Sequence, residues 1–421
     1  MPWRTACIRY LSFSVVEIQR LTDDLLKHFK LPGSQWRSTD ISSSENDPWS
    51  KRSIWTTRYG NSPMFDYAYK RVYEGLNNKL RTVAGGRWSS RCRPTSIGLM
   101  LSYRCNARCV HCDIWKNRGK EDSPSPEQWK TVMSDLREWL GPVHVFFSGG
   151  EAMLNPFAID VAAHGSAIGL FVEFLTHGYW DDQSRIEKLA LSHPWRITIS
   201  LDGLGEVHNQ IRGREKFFEK TSASIETLKR MRKEKGLGFE IRLKTVIMRQ
   251  NLEHVCEIAH YAKQDGMHVF YQPIEQNYDT AEDSRWFDHS NTWPEDSDKA
   301  IAVVKQLIQL KQNGLPIANS YPQLKAMIPY FRNPDSLRIA TQSHSAHENR
   351  AICSALTMLQ IEADGSVTAC TGKEPVGNIK TQRIRDIWED RPQWWQGECC
   401  LETRCTTAEK AALSLPILTS S

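Results

Sequence analysis

The chain has 421 residues, of which 40% are hydrophobic and 24% are charged, and its formal net charge at neutral pH is +5. This length suits two or three modules, and the apolar content is sufficient for a large buried core. The charge is mild and no strong run of lysine and arginine occurs, so we expect no nucleic-acid partner. No apolar stretch approaches the ~20 residues of a membrane span, and the opening stretch lacks the features of a signal peptide.

Cysteine is the most informative residue type in this sequence. The chain has eleven cysteines, an odd number, and most of them fall into two groups. This usage is a poor match to the disulfide framework of a secreted protein. It fits a reducing compartment in which thiols are kept for metal, so we predict a cytoplasmic protein.

The first group consists of Cys105, Cys109 and Cys112, which stand in the stretch CNARCVHC with CxxxCxxC spacing. Three thiolates this close can hold a cubic iron–sulfur cluster, and the iron that lacks a cysteine keeps an open position for chemistry. Zinc and a chance spacing of buried cysteines are the alternatives. Zinc fingers usually add a second ligand pair at short range, and none follows soon after the triplet.

Strands and helices alternate between about residue 95 and residue 275. The predicted strands cover residues 96–103, 143–147, 171–176, 196–201, 239–247 and 267–274. A helix is predicted to begin at Ser125, where SPEQ supplies an N-cap, a proline and a capping-box glutamine; other helices are predicted at 183–191, 217–235 and 252–265. This alternation predicts an α/β fold, a partial (β/α)6 TIM-like barrel, whose working residues gather at the carboxyl ends of the strands.

The remaining sequence divides into flanking regions. Residues 1–93 form an extension in which helices are predicted at 14–30 and 65–82 and a loop at 42–51. The predicted segments after it are a barrel at 94–278, a linker at 279–345 with a helix at 298–313, a small cysteine-rich module at 346–408 and a tail at 409–421.

Short polar motifs follow the strands of the predicted barrel. The cysteine triplet follows the first strand, and the second strand ends in Ser148-Gly149-Gly150-Glu151, where the missing Cβ atoms let the backbone approach a ligand. The third ends in Thr176-His177-Gly178 and the fourth in Ser200-Leu201-Asp202-Gly203, followed by HNQIRG. Each motif alone could be a simple turn, but their order at successive strand ends is hard to obtain by accident.

Together, these motifs make residues 95–275 resemble the core of radical S-adenosylmethionine (radical SAM) enzymes. The resemblance implies that the cysteine triplet holds a [4Fe-4S] cluster and that SAM fills the open iron. It implies contacts with SAM for His111, Gly149, Gly150, Glu151, Ser200 and Ile274. Among these, His111 occupies the position of an aromatic residue near the adenine, and the Gly-Gly-Glu segment is similar to the motif that holds the methionine amino group.

The same resemblance assigns the other residues at the strand ends. Ser200 corresponds to a residue near the ribose, whereas Ile274 and Gln272 could touch adenine or substrate, with core packing as the default. Asp202 and Arg212 are expected to form a structural pair that orders their loop. His177 replaces the asparagine usual in the family.

The second cysteine group resembles a SPASM or twitch module, which holds auxiliary iron–sulfur clusters. Its signature is Cys353, Gly365 and Cys370, with a hairpin predicted around Asp364-Gly365, followed by a GNI…IW run at 376–388. The resemblance predicts one auxiliary [4Fe-4S] cluster, because a full SPASM domain needs more cysteines than are present. The expected ligands are Cys353, Cys370, Cys405 and one of Cys399 or Cys400. A zinc site built from the same thiols is the alternative.

The resemblance implies an enzyme that takes one electron from a low-potential donor, flavodoxin-like or ferredoxin-like. The electron cleaves SAM reductively, and the resulting 5′-deoxyadenosyl radical abstracts hydrogen from a substrate. The predicted function is that of a peptide maturase. The alternatives are a dehydrogenase or epimerase acting on a sugar, an alcohol or another metabolite, and a non-catalytic metal-binding scaffold.

Overall fold

The computed structural model describes residues 63–82, 92–116, 122–277, 280, 283, 285–334, 357–368 and 375–390. All of them lie in one compact unit, which spans Arg58–Ser421. The helix predicted at 14–30, the loop predicted at 42–51 and the tail predicted at 409–421 lie outside the described residues. So do the five cysteines of the second group, Cys353, Cys370, Cys399, Cys400 and Cys405.

Six parallel strands form the centre of the fold and lie side by side in chain order. They are β1 (Ser96–Met100), β2 (His144–Ser148), β3 (Phe171–Thr176), β4 (Arg196–Ser200), β5 (Glu240–Ile247) and β6 (His268–Pro273). The predicted partial (β/α)6 barrel is therefore confirmed. The largest difference in bounds is at β1, which ends at Met100 because the chain leaves the sheet there and enters the loop with the cysteines.

Helices cover the outer face of the sheet. Those between strands are α2 (Pro126–Leu140), α3 (Ala158–Ala167), α4 (Ser184–Leu191), α5 (Glu206–Arg212), α6 (Phe217–Glu234) and α7 (Val255–Gln264); α1 (Pro63–Thr82) precedes them, and α8 (Ser297–Gln312), α9 (Tyr321–Arg332) and α10 (Ile384–Glu389) follow. The predicted start of α2 is confirmed, since the Ser125 hydroxyl accepts a bond from the Gln128 amide and the Gln128 side chain accepts one from Ser125. Within the described residues, no helix combines the length and apolarity needed to span a bilayer.

The core lies between the strands and this helical layer. Strand β5 shows the pattern most clearly, because its residues alternate between partly exposed and buried along EIRLKTVI. Ile241, Leu243 and Ile247 are almost fully buried. The alternate residues of β5, Glu240, Arg242, Lys244 and Val246, share the opposite face, as the two-residue period of a strand requires.

A small hairpin near the carboxyl terminus extends the same sheet. Strand β7 (Met358–Ile361) pairs in parallel with β1, and β8 (Ser366–Thr368) returns antiparallel to it before β9 (Gly377–Asn378). The predicted hairpin is confirmed, with Gly365 in the left-handed region at φ +86°. Tyr103 also donates a hydrogen bond to Glu362 over 3.0 Å, so the hairpin is joined to the chain just before the cysteine triplet.

Charged residues at the amino ends of the strands form a buried network. Glu173 of β3 accepts hydrogen bonds from Arg196 of β4 over 3.1 Å and from Thr198 over 2.5 Å, and its carboxylate lies 2.9 Å from His144 of β2. Arg196 also donates to Glu240 of β5 over 2.7 Å. Four neighbouring strands are therefore joined inside the barrel by ion pairs and hydrogen bonds between their side chains.

The electrostatics of this network depend on pairing. Burial alone would raise the pKa of Glu173, but the hydrogen bond with His144 and the charge of Arg196 outweigh burial and hold that pKa far below its usual range. Burial lowers the pKa of His144. Helix α1 lies against this end, with the Lys70 ammonium 5.4 Å from the centre of the Trp195 ring.

We expect Glu173→Gln to lower the free energy of unfolding by about 3 kcal/mol, because the buried Arg196 loses one of its two carboxylate partners and keeps only Glu240. Urea unfolding followed by tryptophan fluorescence measures the change. Lys299→Ala, which breaks an exposed pair with Glu253, is the matched control and should leave the urea midpoint unchanged. Equal urea midpoints for Glu173→Gln and the wild type would contradict a stabilising role of the Glu173 carboxylate in this network.

The same carboxylate predicts a pH dependence. A group whose pKa is lower in the folded state than in the unfolded state stabilises the fold above its unfolded pKa, and this stabilisation is lost as the pH falls toward the folded value. Because the folded pKa of Glu173 is depressed, wild-type stability should decline as the pH drops below about 4.5. The decline should be shallower in Glu173→Gln, and parallel pH profiles would refute this source of acid sensitivity.

Candidate active site

A cavity of about 190 Å³ opens at the carboxyl ends of the strands. The loop at 103–113, here called the cysteine loop, supplies one wall, and all three cysteines of the triplet line it. The other predicted site residues at its surface are His111, Gly149, Gly150, Glu151 and Ser200. The structure therefore brings together residues that are separated by almost a hundred positions in the sequence.

The three cysteines are free thiols, partly exposed to the cavity. Burial raises the pKa of Cys105 to about 12 and that of Cys112 to about 11, and it also raises the pKa of Cys109. Burial outweighs the nearby charge of Arg212, which favours the thiolate of Cys109 and Cys112, so a bound metal would supply the further charge that displaces the protons. Among the described residues no group of three or more His, Cys, Asp or Glu side chains is placed to hold a single metal ion. The three cysteines that share this cavity supply the kind and number of donors that a cubic cluster held at three corners requires.

One side of the cysteine loop is held by the end of α5. The Arg108 amide donates to the Arg212 carbonyl over 2.9 Å, and the Val110 amide donates to the Ile211 carbonyl over 3.0 Å. Gly213 follows in the left-handed region, at φ +66°, and a Cβ atom there would lie 2.2 Å from the Arg108 carbonyl oxygen. The close contact between helix and loop therefore requires glycine at this position.

The Gly-Gly-Glu segment after β2 holds the other side of the loop. The Gly150 amide donates to the Ser102 carbonyl over 2.8 Å, and the Glu151 amide donates to the Arg104 carbonyl over 2.9 Å. A Cβ atom on Gly149 would lie 2.4 Å from the Ser102 oxygen, and one on Gly150 would lie 2.3 Å from the Arg104 oxygen. We expected the missing Cβ atoms to allow a close approach to a ligand. They instead allow close contact with the backbone of Ser102 and Arg104, although both glycines also line the cavity.

Glu151 joins the ends of β2 and β3. Its carboxylate is 1% exposed and accepts hydrogen bonds from the Met153 amide over 3.2 Å, the Thr176 hydroxyl over 3.0 Å and the His177 amide over 3.0 Å. Burial raises the pKa of Glu151 to about 7 despite these donors. The side chain therefore positions the neighbouring strand end as well as facing the cavity.

His177 holds the cysteine loop from a third direction. Its Nδ1 accepts a bond from the Tyr179 amide over 3.0 Å, so the ring proton lies on Nε2, which faces the Asn106 Oδ1 atom at 2.7 Å. Burial lowers the pKa of His177 to about 3, and the ring is neutral. The residue that replaces the family's usual asparagine thus ties the end of β3 to the stretch between Cys105 and Cys109.

Buried polar atoms in the cavity wall lack a hydrogen-bond partner among the described residues; they include Nδ1 of His111 and Nε1 of Trp115. Lys244 also lines the cavity, opposite Ser200 in the register of β4 and β5. Burial lowers the pKa of His111 to about 4, so this ring is neutral. Lys244 was missed in the sequence, although the two-residue period of β5 could have placed it on the inner face.

The expected pair of Asp202 and Arg212 is present, with 2.6 Å between Oδ2 and Nη2. Arg212 does more than order the loop, because its Nη1 atom also donates to the Cys109 sulfur over 3.6 Å and its side chain lines the cavity.

Ile274 lies outside the set of residues that line the cavity. Its amide donates to the Ile247 carbonyl and its carbonyl accepts a bond from the Tyr330 hydroxyl, so it is held in the core between β5 and α9. Gln272 is also outside the lining residues. Core packing is the default prediction for both residues. Ile274, which is 2% exposed, agrees with that default.

Family models match both regions that carry cysteine groups. Residues 99–269 match the model of the radical SAM superfamily, and residues 353–406 match the SPASM model, described as an iron–sulfur cluster-binding domain. The chain belongs to the radical SAM superfamily. Its cofactors are therefore SAM and a [4Fe-4S] cluster, together with auxiliary iron–sulfur binding in the SPASM region.

Individual relatives place this radical SAM protein among enzymes. It is 26% identical over 329 residues to the AdoMet-dependent heme synthase of Methanosarcina barkeri, a match that covers 73% of this chain and 87% of that protein. It is 28% identical over 169 residues to the PqqA peptide cyclase of Bradyrhizobium diazoefficiens, covering 39% of this chain and 42% of the relative. Both relatives are named as enzymes, which gives no support to a non-catalytic scaffold.

A solved structure shares the fold. Streptococcus suis SuiB bound to precursor peptide SuiA superposes with a TM-score of 0.53 at 15% identity, and the match covers 90% of this chain and 77% of that chain.

We expect Gly213→Ala to reduce the iron content of anaerobically reconstituted protein, because the new Cβ atom would push the cysteine loop away from α5. Alanine at positive φ also costs about 1–2 kcal/mol of stability. Gly205→Ala is the matched control, since Gly205 has φ +56° with nothing within 4 Å of its Cβ position. It should lose stability yet keep its iron, and equal iron loss in both variants would refute a specific role for the loop contact.

Proposed function

We propose that this radical SAM enzyme binds its catalytic cluster through Cys105, Cys109 and Cys112 and uses it to abstract hydrogen from a substrate in the cavity. When bound, the cluster and SAM supply the 5′-deoxyadenosyl radical for that step. The single observation that carries the proposal is the common cavity of the three thiols at the carboxyl ends of the strands. In barrels of this type, working residues lie at that end.

The other lining residues divide the binding of SAM among them. Gly149, Gly150 and Glu151 hold the methionine amino group, and the support is that all three residues line the cavity beside the cysteines. Ser200 contacts the ribose. His111 contacts the adenine, and its unpartnered Nδ1 atom is available for a hydrogen bond with the ligand.

The auxiliary cluster is assigned to the second cysteine group. We assign it to Cys353, Cys370 and Cys405, with Cys399 or Cys400 as the fourth ligand, all within the region that matches the SPASM model. The iron-to-zinc ratio of purified protein separates this cluster from a zinc site. The physiological electron source in this proposal is a flavodoxin-like or ferredoxin-like protein.

Cys109→Ala should reduce the formation of 5′-deoxyadenosine to background, because the cluster loses one of its three protein ligands. The assay uses anaerobically reconstituted protein with SAM and dithionite, followed by chromatography of the nucleoside. Cys256→Ala is the control, since Cys256 is a partly exposed free thiol on α7 that does not line the cavity. Retained cleavage of SAM in Cys109→Ala would overturn the assignment.

For the substrate, we propose a peptide, so that the enzyme acts as a peptide maturase. The support comes from the PqqA peptide cyclase, which is similar over 169 residues, and from the fold shared with SuiB, a protein solved with its precursor peptide. A small-molecule substrate is the second candidate. It is favoured by one observation: the match to the heme synthase extends over 73% of this chain, whereas the match to the peptide cyclase covers 39%.

The two candidates predict different responses of SAM cleavage to added substrate. A short peptide encoded beside the gene should accelerate the formation of 5′-deoxyadenosine, and the mass of that peptide should change. Fe-coproporphyrin III should leave the rate of 5′-deoxyadenosine formation unchanged. Fe-coproporphyrin III is the small-molecule probe because the relatives include a heme synthase and an Fe-coproporphyrin III synthase. Acceleration by Fe-coproporphyrin III and not by peptide would reject the maturase and support the second candidate.

A further inference from the structure

Arg212 places a buried positive charge beside one cysteine of the triplet. The residue is 7% exposed. Its Nη1 atom donates to the Cys109 sulfur over 3.6 Å, and its Nη2 atom lies 2.6 Å from the Asp202 carboxylate. The planar guanidinium thus makes two directed contacts, one to sulfur and one to oxygen.

The partners of Arg212 are themselves fixed. Asp202 is fully buried and its Oδ1 atom accepts a bond from the Val246 amide of β5 over 2.9 Å. The Arg212 carbonyl accepts a bond from the Arg108 amide of the cysteine loop over 2.9 Å. The backbone of Arg212 is therefore tied to the cysteine loop, and its guanidinium is paired with a buried carboxylate that β5 holds in place.

We propose that Arg212 is a positioning residue that sets the reduction potential of the cluster bound by Cys105, Cys109 and Cys112. Hydrogen bonds to the ligating sulfurs and nearby charge are the means by which a protein tunes such clusters. An N–H group of a cation stabilises the more negative, reduced form more than the oxidised form, so Arg212 raises the potential. This inference rests on the proposed cluster at the triplet.

The redox step is a one-electron reduction. The electron comes from a low-potential donor, the core charge of the cluster changes from 2+ to 1+, and no bond forms or breaks. Arg212 keeps its charge throughout and contributes no electron. Its effect on the reduction potential is the difference between its interaction energies with the oxidised and the reduced cluster.

The test compares Arg212→Gln and Arg212→Lys with the wild type, using full-length protein reconstituted anaerobically. Arg214→Gln is the matched control, because Arg214 lies two positions away and donates to the Asn106 carbonyl instead of a cysteine sulfur. The midpoint potential is measured by redox titration followed by electron paramagnetic resonance. The signal that changes when SAM is added identifies the cluster at the triplet, and iron content is measured in parallel.

Arg212→Gln should shift the midpoint to a more negative potential by an amount equivalent to roughly a tenfold change in the reduction equilibrium, which is about 59 mV for one electron. Arg212→Lys keeps the charge and should shift less, and Arg214→Gln should match the wild type. An unchanged midpoint in iron-replete Arg212→Gln would overturn the inference.

If Arg212→Gln fails to load iron, Arg212→Lys decides the question. A smaller shift in the same direction with full iron supports the role, and a wild-type midpoint refutes it. Failure of the underlying function gives a separate result, since wild-type protein would then show no signal that responds to SAM.

Discussion

The site depends on backbone hydrogen bonds that hold the cysteine loop from opposite sides. The Gly-Gly-Glu segment after β2 binds carbonyl oxygens at the start of the loop, and the last carbonyls of α5 bind its amides further on. Close packing on both sides is possible because Gly149, Gly150 and Gly213 lack a Cβ atom. The position of the three thiols is therefore set by main-chain geometry, which tolerates little change in the residues that supply it.

The barrel separates structural charge from reactive groups. At the amino ends of the strands, Glu173, Arg196 and Glu240 satisfy one another, and the network stabilises the barrel because each charge has a partner. At the carboxyl ends, the histidines in the cavity wall are neutral, and the cavity retains unpartnered polar groups on His111 and Trp115. Groups without partners are the ones left available to a ligand.

Much of this arrangement can be predicted from the sequence, because it is encoded by local patterns. Strand periodicity gave the six parallel strands, and cysteine spacing with the motifs at the strand ends gave most of the cavity wall. The roles of the glycines were harder to predict, since a close approach to ligand and a close approach to another loop have the same sequence signal. The contact between Arg212 and Cys109 depends on how α5 meets a loop about a hundred residues earlier, and no local pattern carries that information. The sequence alone could not decide whether Ile274 faces the cavity or the core, because an apolar residue at a strand end packs equally well on either face of the sheet.

The pairing of β7 with β1 has a consequence for the order of events during synthesis. Residues 96–100 leave the ribosome long before residues 358–361, yet they are neighbours in the sheet. Until the last part of the chain emerges, one edge of β1 has unsatisfied main-chain donors and acceptors, and such edges invite association with other chains. Tyr103, whose hydroxyl donates to Glu362 on the late hairpin, likewise gains this partner only after the hairpin has been made. A nascent chain that stalls before the hairpin would therefore carry an open strand edge directly before the loop with the three thiols.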